Sequence, residues 1–322
     1  AHENRPTNYS GIQFGLCHAG NSKSSKEYSL IHNLEAKWLR IDFSWSQMEP
    51  EKGIWRFEKY DTYLEKAVKE GVKVLAILDY DAKWLHSGKD QSRRIDPEEL
   101  PDFLNYVEVV AKRYGDKVGG FEIWNEPNTN RFWTGSNKDF FELTKQSLNL
   151  LKELVPNTPI AVGAIFYHPI LGAKSYLKKM LSAGVIDQAD AISLHPYGVS
   201  IPLLAKRVEK AKKLIYSSGL KNPIWVTEIG FPTGGSYPSK VKLEGQASTV
   251  AKSIVQITKS GADMVLWYCL FDSKNPDKVT KKMSSEAFFG VVWPNYKPKP
   301  GSLPYSLLAK ELKGAEIVSD LY

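Results

Sequence analysis

Two glutamates each close an apolar run. Phe121-Glu122-Ile123-Trp124 leads into Asn125-Glu126-Pro127, and Pro223-Ile224-Trp225-Val226-Thr227 leads into Glu228-Ile229-Gly230. A pair of carboxylates at strand ends is the minimum equipment for breaking a glycosidic bond. One protonates the leaving oxygen while the other attacks or stabilises the sugar carbon. An Asn-Glu-Pro tripeptide by itself is most often an ordinary strand-end loop, so the weight of this pair comes from the elements that would carry it.

Short apolar runs at 12–16, 38–43, 74–78, 121–124, 160–164, 191–194, 224–227 and 264–268 read as strands. Several are apolar throughout, as strands covered on both faces must be. Amphipathic patterns at 57–70, 97–114, 138–154, 174–183, 203–218, 244–260 and 303–312 read as the intervening helices. Pro97 opens the helix after strand three, and Gly71, Gly115, Gly184, Gly219 and Gly261 stand just past helix ends, where starts and stops belong. The expectation is an α/β fold, a single (β/α)8 TIM barrel over 11–322 with 1–10 as an N-terminal extension. An open doubly wound sheet would carry a glycine-rich turn after its first strand, which Gly15-Leu16-Cys17-His18-Ala19-Gly20 matches poorly. Barrel sites lie at the C-terminal strand ends. Here those ends hold Asp42 and Trp45 (with Arg40 in the same strand), Asp79-Tyr80-Asp81, Asn125-Glu126, His195-Pro196-Tyr197, Glu228 and Trp267-Tyr268. A purely structural barrel has no reason to gather ionisable groups at one end, because buried charges need partners and add little net stability.

The 322 residues, 42% hydrophobic and 25% charged, fit one large globular domain. No apolar stretch approaches the ~18 residues of a membrane span, and zinc-type cysteine spacings and phosphate loops are missing, so neither metal nor cofactor is expected. The six histidines are too scattered for a metal-dependent hydrolase. A net charge of +7 reads either as lysine-rich helix surfaces, such as 206–213 and 278–282, or as attraction to an acidic polymer. The polar first residues, without a signal-type apolar core, suggest export to the cell surface, periplasm or medium. Cys17 and Cys269 fall on neighbouring strands of a closed barrel; a disulfide is conceivable, and two buried free thiols are the expectation. The expected partner is a polysaccharide or oligosaccharide, with no nucleic acid, no membrane span and a monomeric chain.

Asn125-Glu126-Pro127, Glu228 in Thr-Glu-Ile-Gly, Arg40, His195-x-Tyr197 and Trp267 together resemble the retaining glycoside hydrolases of clan A. The segment from Trp45 through Glu49-Pro50 and Gly53 to Tyr60-Asp61 resembles the stretch after strand two in that clan, and the likeness runs from Gly11 to about Leu312. The Ile-Trp-Asn-Glu-Pro-Asn and His-Pro-Tyr wording is most similar to family 39. Family 5, the second choice, usually carries a histidine near the end of strand three, where this chain has Asp79-Tyr80. The resemblance implies Glu126 as general acid/base and Glu228 as nucleophile. Arg40 is the cationic partner of Glu228, and Asn125 would donate to the sugar 2-hydroxyl. Tyr197 would hydrogen-bond Glu228, while His195 would support the acid or a sugar hydroxyl. Trp45, Tyr80, Trp84, Trp133, Tyr197 and Trp267 are expected to stack on sugar rings, Trp267 as floor of the cleavage subsite; Trp84 and Trp133 read equally well as rim packing. Because exo-acting family 39 enzymes commonly append a β-sandwich, endo-action is expected here. Exo-glycosidase, transglycosidase and non-catalytic sugar-binding barrel stay open as alternatives.

Overall fold

The computed structural model describes residues 11–18, 25–86, 92–168, 172–198, 200–274 and 284–315. Eight parallel strands pair in sequence order and close on themselves: β1 (Gln13–Cys17), β2 (Trp38–Ser44), β3 (Lys73–Asp79), β4 (Gly120–Ile123), β5 (Ile160–Phe166), β6 (Ala191–His195), β7 (Ile224–Ile229) and β8 (Met264–Trp267), with β8 returning to β1 through Gly15 and Leu266. Around them lie α1 (Ser25–Asn33), the single turn α2 (Trp45–Met48), α3 (Glu58–Lys69), α4 (Leu100–Tyr114), α5 (Asn137–Leu154), α6 (Ala173–Ser182), α7 (Ile201–Ser217), α8 (Gln246–Lys259) and α9 (Ser302–Glu311). The expected (β/α)8 barrel is therefore the fold, with every expected strand in place. The extension at 1–10 and the lysines at 278–282 lie outside the described residues.

Local chemistry accounts for the boundaries. Ser136 caps α5, its hydroxyl accepting the Asp139 amide at 3.1 Å, and Asp96 and Glu99 form a capping box ahead of α4. Gly219 ends α7 at φ +89°, a left-handed conformation that favours glycine. Gly115 differs: its φ is −58°, and it is small because a Cβ would lie 2.1 Å from Val155 Cγ1. The sequence pattern missed α1, which carries only Tyr28 and Ile31 as buried apolar side chains and so shows little periodicity. Lys206, Lys210 and Lys213 of that lysine run are exposed on α7.

The loops after β7 and β8 are pinned by one buried ion pair. Lys299 Nζ donates to both Asp272 oxygens at 3.0 and 2.9 Å and to Thr233 Oγ1 at 2.8 Å. Burial pushes Asp272 up to about 6 against the pull of Lys299. Removing one member leaves a buried charge without its partner. Lys299→Met is therefore expected to cost about 3–5 kcal/mol, read as a fall in the urea midpoint at unchanged slope. A loss under about 1 kcal/mol would mean that water compensates Asp272 readily.

Candidate active site

Glu126 sits just beyond β4, held in a strained backbone. Trp124 has φ +65° and Glu126 φ +44°, and strain of this kind in residues other than glycine concentrates at functional sites. The strain is held by β5, whose register slips between Val162 and Ile165 around Gly163 at φ +114°. That bulge turns the Ala164 carbonyl toward the Glu126 amide, 3.1 Å away. The Glu126 carboxyl meets His195 Nδ1 at 2.9 Å, and His195 Nε2 meets Thr227 Oγ1 at 3.1 Å. Burial, then the negative charge of Glu228, holds the Glu126 carboxyl well above the usual carboxylate range, outweighing Arg40 and Arg131. Burial also keeps His195 well below its ordinary value, with Arg40 acting in the same direction. The imidazole is therefore neutral near pH 7.

Glu228 occupies a second irregularity, where the β7–β8 register slips between Val226 and Ile229. Arg40 reaches it from β2, donating from Nη1 to Glu228 Oε2 at 3.0 Å, from Nη2 to Asn125 Oδ1 at 2.8 Å and from Nε to Glu122 Oε2 at 2.7 Å. The Tyr197 hydroxyl donates to the other Glu228 oxygen at 2.7 Å. Burial raises the Glu228 carboxyl too, but Arg40 and the Tyr197 bond draw it back down. Of the two coupled acids, Glu126 holds the proton and Glu228 the charge. One oxygen of each lies within 4.8 Å of one of the other.

Both acids open into a cleft of about 560 Å³ lined by Arg40, Asp42, Tyr80, Asn125, Glu126, Tyr197 and Glu228, all at the strand ends that the sequence singles out. Its walls add Arg131, Phe132, Phe166, Tyr237, Tyr268, Glu286 and Phe289. His195 is fully buried beneath it, supporting Glu126. Tyr80 stacks on Phe132 at 5.9 Å, with the Arg93 guanidinium 4.0 Å from its ring centre.

The tryptophans expected as sugar platforms are not in the cleft lining. Trp45 is fully buried, donating to Glu49 Oε2 at 2.6 Å while the Gly53 amide donates to Glu49 Oε1 at 2.6 Å. The Trp-x-x-x-Glu-Pro-x-x-Gly stretch is thus an internal staple of the loop after β2. Trp84 is half-buried against Trp45, its indole N–H on the Glu49 carbonyl at 3.0 Å and Lys52 over its ring. Trp133 is buried edge-to-face on Trp124 and Phe140, its N–H on the Ser136 carbonyl. Trp267 pairs with Leu16, one position off the Cys17–Arg40 row that faces the cleft, so it stands on the opposite side of the sheet and packs against Phe231. Tyr268, next in the chain, lines the cleft instead. Strand parity was the signal for that exchange. Glu122 also carried a signal, as a charge inside an apolar run that demands a buried partner. Tyr237, Glu286 and Phe289 come from long loops without a motif.

Among the described residues, Glu126, His195 and Glu228 are the one group with donor atoms close enough to share a metal ion. Those atoms are already engaged with each other, with Arg40 and with Tyr197, and the Arg40 guanidinium opposes a second cation there. Cys17 and Cys269 are both buried free thiols, as expected, donating to the Thr227 and Phe271 carbonyls.

The sequence model of Cellulase (glycosyl hydrolase family 5) matches residues 2–273. Among solved structures, a family 39 glycoside hydrolase from the gut symbiont Bacteroides cellulosilyticus WH2 superposes with TM-score 0.76 at 23% identity, covering 94% of this chain and 64% of that one. The exo-β-1,4-mannosidase of Opitutaceae bacterium strain TAV5 gives 0.71 at 14%, covering 94% and 60%. Xylanase 10B of Thermotoga maritima gives 0.68 at 17%, covering 94% and 95%. At these identities the structures share the fold, and the chain spans less than two thirds of the first two.

Proposed function

The chain belongs to the cellulase family, glycosyl hydrolase family 5, and from that membership we propose that it is a retaining glycoside hydrolase cleaving internal β-glycosidic bonds of a polysaccharide or oligosaccharide. The clan A resemblance thus holds through its second-choice family; Asp79-Tyr80 in place of the strand-three histidine does not remove the chain from it. The observation that carries the mechanism is the close approach of Glu126 and Glu228. Retaining sites hold their carboxyls about 5–5.5 Å apart and inverting sites roughly 6.5–9.5 Å, the latter leaving room for a water. An oxygen-to-oxygen approach within 4.8 Å supports direct attack by Glu228.

In this reading Glu228, kept anionic by Arg40 and Tyr197, attacks the anomeric carbon while Glu126 gives its proton to the departing oxygen. Glu126 then takes a proton from the water that hydrolyses the glycosyl-enzyme. The Asn125 amide, its oxygen fixed by Arg40, is left to donate to the 2-hydroxyl. The test is kcat/KM against pH. Activity should fall at low pH as Glu228 takes up a proton, with a midpoint above the ordinary 4.5 because burial raises it. It should fall again at high pH, as Glu126, raised further, loses its proton. A flat profile between about pH 4 and 9 would overturn the two assignments.

Endo-action is supported by the spread of aromatic rings, with Tyr80 and Phe132 beyond β3 and β4, Phe166 at the end of β5, and Tyr197, Tyr268 and Phe289 beyond β6 and β8. One observation favours the exo reading. Arg131 on the β4 loop meets Glu286 on the β8 loop at 3.5 Å, and a bridge between opposite walls could stop a polymer. The two readings differ in outcome. With a panel of plant and bacterial polysaccharides, endo-action makes viscosity fall well ahead of reducing ends, whereas monosaccharide release at steady viscosity marks an exo-enzyme whose stop is that bridge. Export to the compartment that holds such polymers belongs to the same proposal.

A further inference from the structure

The hydrogen bonds below Glu126 continue past His195 into groups with no established role in the reaction. Thr227 Oγ1 lies 2.8 Å from Glu122 Oε1 and 3.1 Å from His195 Nε2, and the other Glu122 oxygen is ion-paired with Arg40 at 2.7 Å. Glu122, Thr227 and His195 are all fully buried and lie, each to the next along this line, within direct hydrogen-bonding distance. A hydroxyl has a single proton, and a carboxylate paired with a guanidinium offers only lone pairs. Thr227 must therefore give its proton to Glu122. That leaves it a lone pair for His195, so Nε2 must be the N–H nitrogen. A neutral imidazole carries one proton, which makes Nδ1 an acceptor. At 2.9 Å from Glu126 Oε1, Nδ1 can be satisfied only if the carboxyl is the donor.

We propose that Thr227 and Glu122 are positioning residues that lock His195 in its Nε2–H tautomer, and that the bare Nδ1 so created keeps the proton on Glu126 until it is transferred. The inference rests on Glu126 being the acid of the proposed hydrolase. The same lone pair serves the second step. Once Glu126 has given up its proton, its carboxylate faces an electron pair instead of a donor, which favours recapture of a proton from the attacking water. Other charged groups also act on Glu126: Glu228 from β7, Arg40 from β2, Arg131 from its own loop, and Glu286 and Tyr237 from the loops after β8 and β7. Arg40 acts on His195 as well. Among the described residues, the hydrogen bonds to the imidazole are those with Glu126 and Thr227.

Thr227→Val removes the hydroxyl and keeps the shape. The imidazole can then place its proton on Nδ1 and donate to ionised Glu126, so the alkaline limb of the kcat/KM profile should move down by about one pH unit, the scale of one hydrogen bond switched from the acid to its anion. The acid limb should stay in place, and Thr227→Ser should restore the wild-type profile. An activity loss equal at all pH values, with the alkaline limb unmoved, would make Thr227 merely structural and overturn the proposal. The tautomer is read directly by nitrogen-15 NMR of histidine-labelled protein, with His195 assigned by comparison with His195→Gln. Wild type should show the Nε2–H form and Thr227→Val a mixture. A wild-type Nδ1–H signal overturns the lock even if the valine variant does not fold. If no polysaccharide is cleaved, the hydrolase reading fails while the NMR result still decides the lock.

Discussion

Replacing Glu228 by alanine is expected to abolish turnover, by roughly 10⁵-fold or more, since losses of that order follow removal of a covalent nucleophile. The fold should survive, because the substitution frees Arg40 and Tyr197 at the cleft instead of stranding an acid in the core. Azide can then enter the space the carboxylate left and attack from that side, giving a glycosyl azide of inverted configuration. Glu126→Ala should lose about 10²–10⁴-fold on substrates with poor leaving groups and far less on activated aryl glycosides. There azide takes the place of the water and yields the retained product. Identification of the two azides by NMR checks both assignments at once. Exchanged products would exchange the roles, and two inverted products would remove the covalent intermediate.

Arg40→Met should lower kcat by on the order of 10²-fold, the consequence of removing a charge-assisted contact from the attacking carboxylate. From sequence alone this change would be expected to lower kcat far more than the melting temperature. The structure revises that expectation, because Arg40 is also the ion-pair partner of the fully buried Glu122. Stranding Glu122 should cost about 3–5 kcal/mol, visible as a fall in Tm of several degrees. Arg40→Met/Glu122→Leu separates the two effects. Tm should largely return, since an apolar pair of similar volume tolerates burial, while kcat stays low. Recovery of both would make Arg40 a structural residue, and recovery of neither would mean that Glu122 positions more than Arg40.

The barrel was legible in the chain because its signals are local. A strand buried on both faces is apolar throughout, a covering helix repeats every 3.6 residues, and glycine marks the turns. The chemical site was legible for a related reason: Glu126, Glu228, Arg40, Asn125, Tyr80 and Tyr197 stand at the cleft-forming ends of strands that are otherwise apolar, where residue type betrays purpose. Which aromatic rings line the cleft was decided mostly by the tertiary structure, with strand parity the one local signal. A one-residue step in a strand reverses the face, so Trp267 turns away and Tyr268 faces in, while Trp45 packs against Phe103 and Tyr106 from α4 and Trp133 against Trp124 and Phe140. The bulges at Gly163 and Glu228, the Lys299–Asp272 pin beneath the loop of Glu286 and Phe289, and the line from Glu122 through Thr227 to His195 all join distant parts of the chain. Their energies arise from burial and from partners that meet only once the barrel has closed.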